Sequence, residues 1–183
     1  MTTKKRHTLA IQVANEPGVL SQVSRLFSRK GYNIESLASG PTSNPDTSRL
    51  TIEVLADDQQ AELLCNQLRK LLPVYSVKRL DAGRAIRREL VLIKVRAASR
   101  DVRNEVFQIA SIFRGSVIDV SAETLTLSLI GTEEKTEAIE TLLQEFGIIE
   151  LARTGIIGLE RGHYTIDENT KEKGEFNYGK HVL

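Results

Sequence analysis

Residues 15–37 read NEPGVLSQVSRLFSRKGYNIESL. Pro17 has a preset φ and no N–H, so it suits the first turn of a helix. Gly18 removes a side chain where a ligand could come close to the backbone. Val19, Leu20, Val23, Leu26 and Phe27 recur at helical spacing and form one apolar stripe. Arg29 and Lys30 suit the negative end of the helix dipole, and Gly31 suits a C-terminal cap. Asn33 then opens a strand, and reads as a short polar side chain near the helix start. The stretch is therefore loop, helix and strand, with unpaired backbone N–H groups at the head of the helix. Such groups bind anions such as carboxylates. Nothing in the stretch reads as catalytic.

Working outward, His7 to Ala14 alternates, with Leu9, Ile11 and Val13 on one face and Thr8, Ala10 and Gln12 on the other. That is the pattern of a half-buried strand. Tyr32 to Ala38 reads as a second strand. Ser48 to Leu55 reads as a third, with Leu50, Ile52 and Val54 inward and Arg49, Thr51 and Glu53 outward. Asp57 or Asp58 caps a helix bearing Ala61, Leu64, Leu68 and Leu71, and Pro73 stops it. Cys65 belongs to the apolar side of that helix with Ala61, Leu68 and Leu72. Val74 to Leu80 is a fourth strand.

The order βαββαβ then repeats. Glu89 to Arg96 is strand-like. A helix from about Asp101 ends at Gly115, two strands follow at Ser116–Ser121 and Leu125–Ile130, and Thr132 caps a fourth helix. Ile148 to Ile157 is the last strand. A shift of 75 places Leu64 on Ile139, Leu68 on Leu143, Leu71 on Phe146 and Val74 on Ile149. The fold class is α+β. Each unit is expected to be a four-stranded antiparallel sheet with both helices on one face, the ferredoxin-like split-βαβ arrangement. The expected domains are 1–82, a linker over 83–88, a second domain over 89–161 and a polar tail over 162–183, whose Phe176, Tyr178 and Val182 could dock on another surface.

Composition narrows the function. The chain has 183 residues and a net charge of +1, which gives no electrostatic case for nucleic acid or a membrane surface. The central strands of the first unit carry no aromatic residue on which a base could stack, so the RNA-binding form of this fold is rejected. A single cysteine excludes an internal disulfide and fits a reducing, cytoplasmic setting. No apolar run is long enough to span a bilayer, and the basic N-terminus lacks the apolar region of a signal peptide. His7, His163 and His181 are scattered, with no carboxylates spaced as a metal set. No nucleophile–base pair is visible. Asn15 and Gly18 read either as an ordinary strand-to-helix turn or as a ligand loop. Asn33 reads either as a turn residue after a capping glycine or as a ligand contact. The acidic run Glu133, Glu134, Glu137, Glu140 reads as a solvated helix face. The loop Ala97-Ala98-Ser99-Arg100-Asp101 of the second unit has neither glycine nor proline, and its counterpart of Asn33 falls near Val117.

Asn15-Glu16-Pro17-Gly18-Val19-Leu20 and Phe27-Ser28-Arg29-Lys30-Gly31-Tyr32-Asn33-Ile34-Glu35-Ser36-Leu37 resemble the N-terminal ACT domain of acetolactate (acetohydroxyacid) synthase small subunits. Ile112-Phe113-Arg114-Gly115-Ser116-Val117-Ile118-Asp119-Val120 and Ala152-Arg153-Thr154-Gly155-Ile156-Ile157-Gly158-Leu159 resemble their C-terminal domain. The resemblance implies a regulatory subunit in branched-chain amino acid synthesis, inert alone. Its partner would be a catalytic large subunit carrying thiamine diphosphate, a divalent metal (magnesium) and FAD. The small subunit would raise that partner's activity and confer feedback inhibition by valine. Valine would sit between two ACT domains of a homodimer. Backbone groups of Asn15, Gly18, Val19 and Leu20 would hold it, with Asn33 and Ile34 coming from the partner chain. The alternative reading is a free-standing amino-acid sensor that controls another enzyme. The first unit, ending near Gly83, is expected to dimerise and bind by itself. The second unit is expected to serve an interaction.

Overall fold

In the first unit, β1 (Lys5–Ala14) leads through Gly18 into α1 (Val19–Lys30). Gly31 ends α1 with φ +71°, and its N–H and that of Tyr32 return to the carbonyls of the last turn. β2 (Ile34–Pro41), β3 (Thr47–Ala56), α2 (Asp58–Leu68) and β4 (Val74–Leu80) follow. Asp57 starts α2 with a reciprocal capping box, in which its side chain accepts from Gln60 N and the Gln60 side chain accepts from Asp57 N. The structure, a computed structural model, describes residues 3–166. The phenyl and isopropyl groups proposed to dock from Phe176, Tyr178 and Val182 lie outside them.

The strand order is β2-β3-β1-β4, all antiparallel. Leu9, Ile11, Val13, Leu50, Ile52 and Val54 meet Val19, Val23, Leu26 and Phe27 of α1 and Leu64, Cys65 and Leu68 of α2 in one core. Both helices therefore cover one face, as the alternation requires. The second unit repeats the plan with β5 (Ala85–Arg96), α3 (Arg100–Ile112), β6 (Ser116–Val120), β7 (Thr124–Gly131), α4 (Glu133–Leu143) and β8 (Ile148–Arg153). Its order is β6-β7-β5-β8, and a short β9 (Ile157–Glu160) also pairs with β5. Its core joins Val91, Ile93, Val95, Leu125, Leu127 and Leu129 to Val106, Ala110, Ile139 and Leu143.

Several details differ from the sequence reading. Strand β5 begins at Ala85, so most of the stretch read as linker is strand. α2 ends at Leu68, ahead of Pro73, and Leu72 is exposed rather than packed beside Cys65. The last strand is broken at 154–156 into β8 and β9. The 75-residue shift holds through the helices but fails at Val74: Val13 faces Val74 in one sheet, whereas Val95 faces Ile148 in the other. The return from helix to strand is one residue shorter, and a one-residue slip moves every side chain to the other face. Ile149 is accordingly exposed.

The largest departure concerns the face of the first sheet away from the helices. Thr8, Ala10, Thr51, Glu53 and Ser76 are all buried there. Leu80 and Ala85 pack on Ala10 together with Ile166, which arrives from the far end of the described chain. By contact among the described residues, the first unit comprises residues 3–86 and 158–166, and the second residues 87–157. The second unit is thus an insertion in the first.

Candidate functional site

Gly18 takes φ +84° and ψ −9°, a left-handed conformation that turns the loop into α1. Glycine carries no side chain, so nothing caps the helix there. The first amides of a helix have no intrahelical partner, and here they carry the positive end of the dipole. Val19 is buried as part of the core, while Leu20 is 44% exposed and puts an apolar group beside the open helix start. The apolar stripe read from the sequence is therefore narrower than it looked: Leu20 is outside it.

Asn15 anchors this loop. Its N–H donates to Asp46 O (2.8 Å) and its Nδ2 donates to Pro45 O (2.9 Å), while its Oδ1 accepts from Ser48 Oγ (2.9 Å). The side chain and amide of Asn15 are thus spent on fastening the loop to the β2–β3 hairpin. Thr42, Asn44 and Thr47 fasten that hairpin to itself, with Thr47 N donating to Asn44 O (3.0 Å) and Asp46 N to Asn44 Oδ1 (3.0 Å). Gly40, Pro41, Ser43, Asn44, Pro45 and Asp46 are turn-forming residue types, so a loop there is legible. Its bonds to Asn15 carried no sequence signal.

Asn33 does not lie near the helix start. β2 follows the C-terminus of α1, and Ile34 pairs with Val54. Ala14, at the other end of the sheet, pairs with Thr47. Seven strand residues separate the two ends, roughly 23 Å at the usual rise. Within one chain the structure groups Asn15, Gly18, Val19 and Leu20 and leaves Asn33 and Ile34 apart. Asn33 is exposed, and its Nδ2 donates to Glu35 Oε1 (2.9 Å). Ile34 is half-buried against the core. The expectation of proximity rested on sequence distance, which misleads because an α-helix carries the chain from one end of the sheet to the other.

The matching loop of the second unit is closed. Ser99 accepts from Val102 N (3.2 Å) and caps α3, and Ala97 is fully buried. Arg103 ties the same region down by donating to Ala97 O (2.8 Å) and Ser121 O (2.9 Å). Toward the other end of β5, Glu89 is buried and accepts from Thr136 Oγ1 and from Arg153 Nη1 (2.9 Å), while Arg153 also pairs with Glu140. One member of the acidic run thus has a structural partner. Cys65 is fully buried, and burial pushes its thiol up to about 11. Among the described residues no three His, Cys, Asp or Glu side chains gather into a metal set, and no helix is long and apolar enough to cross a membrane.

Two family models match the chain. One, described as an AHAS small subunit-like ACT domain, matches residues 9–76, and the other, the small subunit of acetolactate synthase, matches residues 88–162. The acetolactate synthase small subunit of Mycobacterium bovis is 46% identical over 158 residues, covering 86% of this chain and 94% of that one. That of Aquifex aeolicus is 44% identical over 157 residues, covering 86% and 82%. The crystal structure of the Thermotoga maritima small subunit superimposes with a TM-score of 0.81 at 38% identity, covering 87% of this chain and 99% of that one. An open helix start in an ACT unit, a closed second unit, and both family models in tandem lead to one conclusion: the chain belongs to the family of acetolactate synthase small, regulatory subunits.

Proposed function

We propose that this subunit activates a catalytic acetolactate synthase large subunit, which carries thiamine diphosphate, magnesium and FAD, and makes it sensitive to valine. The observation that carries the reading is the uncapped start of α1, which follows Gly18 at φ +84° in the ACT unit alone, whereas Ser99 closes the equivalent helix of the second unit. A carboxylate placed there would meet the amides of the first turn, of which Val19 N makes only a long bond to Glu16 O (3.4 Å), and the positive dipole end. Leu20 would contact the isopropyl group of valine.

Asn33 and Ile34 would come from a second chain. β2 lies at an edge of its sheet, and Ser36, Leu37, Ala38, Ser39 and Gly40 give that edge no charge to repel a partner. Two such edges paired antiparallel about their middle would bring Asn33 of one chain to the hairpin of the other, which Asn15 holds next to Gly18. An extended eight-stranded sheet would remove both exposed edges. Valine can inhibit only by favouring one arrangement of the complex over another. The test is reconstitution. The purified chain alone should not turn over pyruvate, even with thiamine diphosphate and magnesium. Added to the large subunit, it should raise the rate and render it inhibitable by valine. A large subunit whose rate and valine response ignore this chain would refute the proposal.

A further inference from the structure

Residues 158–166 lie along the outer face of the first sheet: β9 pairs with β5, Arg161 N donates to Arg84 O (2.8 Å), and polar side chains of the sheet hold the segment across it. Arg49 Nη2 donates to Gly158 O (2.7 Å), Lys78 Nζ to Thr165 O (3.0 Å), and Ser76 Oγ to Ile166 O (2.7 Å). Lys78 also pairs with Glu160, and both side chains are largely shielded from solvent. Ser76, Gln12 and Arg49 stand in one row across β4, β1 and β3. The donors thus come from a planar array that the sheet sets out in advance. The held segment contributes carbonyls and little apolar surface: only Ile166 packs on Ala10, Leu80 and Ala85, while Arg161 to Thr165 are exposed.

The seat is also incomplete. A cavity of about 500 Å³ remains between the hairpin at Pro41–Asn44 and the segment at Leu159 and Ile166, with Gln12 and Arg49 in its wall. Gln12 Oε1 is buried there and meets no hydrogen-bond partner among the described residues. A segment that is short on buried apolar contacts and leaves an acceptor unmet belongs to the low-stability end of a fold. The far wall of this cavity is the hairpin that Asn15 grips through Pro45, Asp46 and Ser48. Any shift of the Gly18 loop therefore moves the wall of the seat.

We propose that residues 158–166 are a releasable strap, paired to β5 through β9 and held over the first sheet by Ser76, Lys78 and Arg49, whose seating converts occupancy of the Gly18 loop into inhibition. This rests on the regulatory reading above. The three anchors are positioning residues and touch no effector. The strap follows the inserted unit directly in the chain, so its seating is felt at the end of that unit.

The test uses the full chain, free and reconstituted with the large subunit, and compares the parent with Ser76→Ala, Ser76→Ala/Lys78→Met and Lys78→Arg. Hydrogen exchange over 158–166 should rise at least tenfold in the double variant and remain near parental in Lys78→Arg. Valine affinity by calorimetry and activation of the large subunit should stay within about twofold. The valine concentration for half-inhibition should rise tenfold or more in the double variant, by a smaller factor in Ser76→Ala, and return in Lys78→Arg. Unchanged inhibition with a released strap overturns the proposal, as does unchanged exchange. Parallel loss of valine binding also overturns it, because the anchors would then act on the effector site itself. If the parent binds no valine, the regulatory reading fails, and the exchange data still decide whether the strap is releasable.

Discussion

Gly18 and Asn33 make opposite demands on the fold. No heavy atom lies within 4 Å of a Cβ built on Gly18, so Gly18→Ala meets no clash, only the left-handed φ of +84°. That conformation costs an L-residue about 1–2 kcal/mol, so a lowered thermal midpoint with retained dimerisation is expected. Gly18→Val should add a branched side chain in the path of the carboxylate and abolish valine binding by calorimetry. Asn33→Ala should leave the unfolding midpoint unchanged, since Asn33 is exposed and bonds only to Glu35. A ligand that loses a charged hydrogen bond is weakened by about 1–3 kcal/mol, roughly tenfold to a hundredfold. His7 supplies a pH dependence. Its pKa lies below the ordinary 6.5, first because burial penalises the charge and then because Arg79 and Lys5 are near, with Asp58 opposing them. The unfolded chain therefore binds the proton more readily, so stability is full above pH 6.5 and is lost as pH falls below it. His7→Phe should flatten the fall in unfolding midpoint between pH 7 and pH 5. Of these residues, the place of Gly18 at the head of α1 was legible, because Pro17 and Gly18 stand directly before a helical stripe. His7 was not, because burial of a strand end depends on what packs over it.

Alternation along the strands revealed four sheet strands per unit and the faces that meet the helices. It could not reveal the opposite face of the first sheet. Thr8, Thr51 and Glu53 read as the outward face because they are polar, yet they are buried, as is Ser76 beside them. Polarity marks the need for hydrogen bonds, which a covering segment satisfies as well as water does. The carbonyls that satisfy Ser76 and Lys78 come from Ile166 and Thr165, almost ninety residues away in sequence, and no local pattern announces them. Glu89 tells the same story in the second unit: a carboxylate at a strand position is buried because Thr136 and Arg153 meet it. Removing Glu89 leaves Arg153 to Glu140 alone and leaves the buried Thr136 hydroxyl without its carboxylate, which costs about 1–3 kcal/mol. Urea unfolding of Glu89→Ala should show that loss, whereas Glu137→Ala, on an exposed side of α4, should not.

For the whole molecule, the sequence suggested two consecutive domains, and a repeat invites that reading. The structure shows one unit set inside the other, with contact boundaries at 86/87 and 157/158. A fragment ending near Gly83 would lack Ile166 and the carbonyls that cover its outer face, so the expectation that it works alone needs revision. It should dimerise, if at all, with a lowered thermal midpoint and a tendency to aggregate, because a buried face becomes exposed. A chain ending after Ile166 keeps that cover and should unfold at a higher midpoint than the fragment. Light scattering and thermal unfolding of the two separate these outcomes. The insertion also reverses an order of events in biosynthesis. Domains generally fold as they leave the ribosome, the N-terminal one first. Here the segment that closes the first unit is made after the entire second unit. The N-terminal unit should therefore remain protease-sensitive on stalled nascent chains until residue 166 has cleared the exit tunnel, while residues 87–157 reach protection earlier. The part that is synthesised first is the part that is finished last.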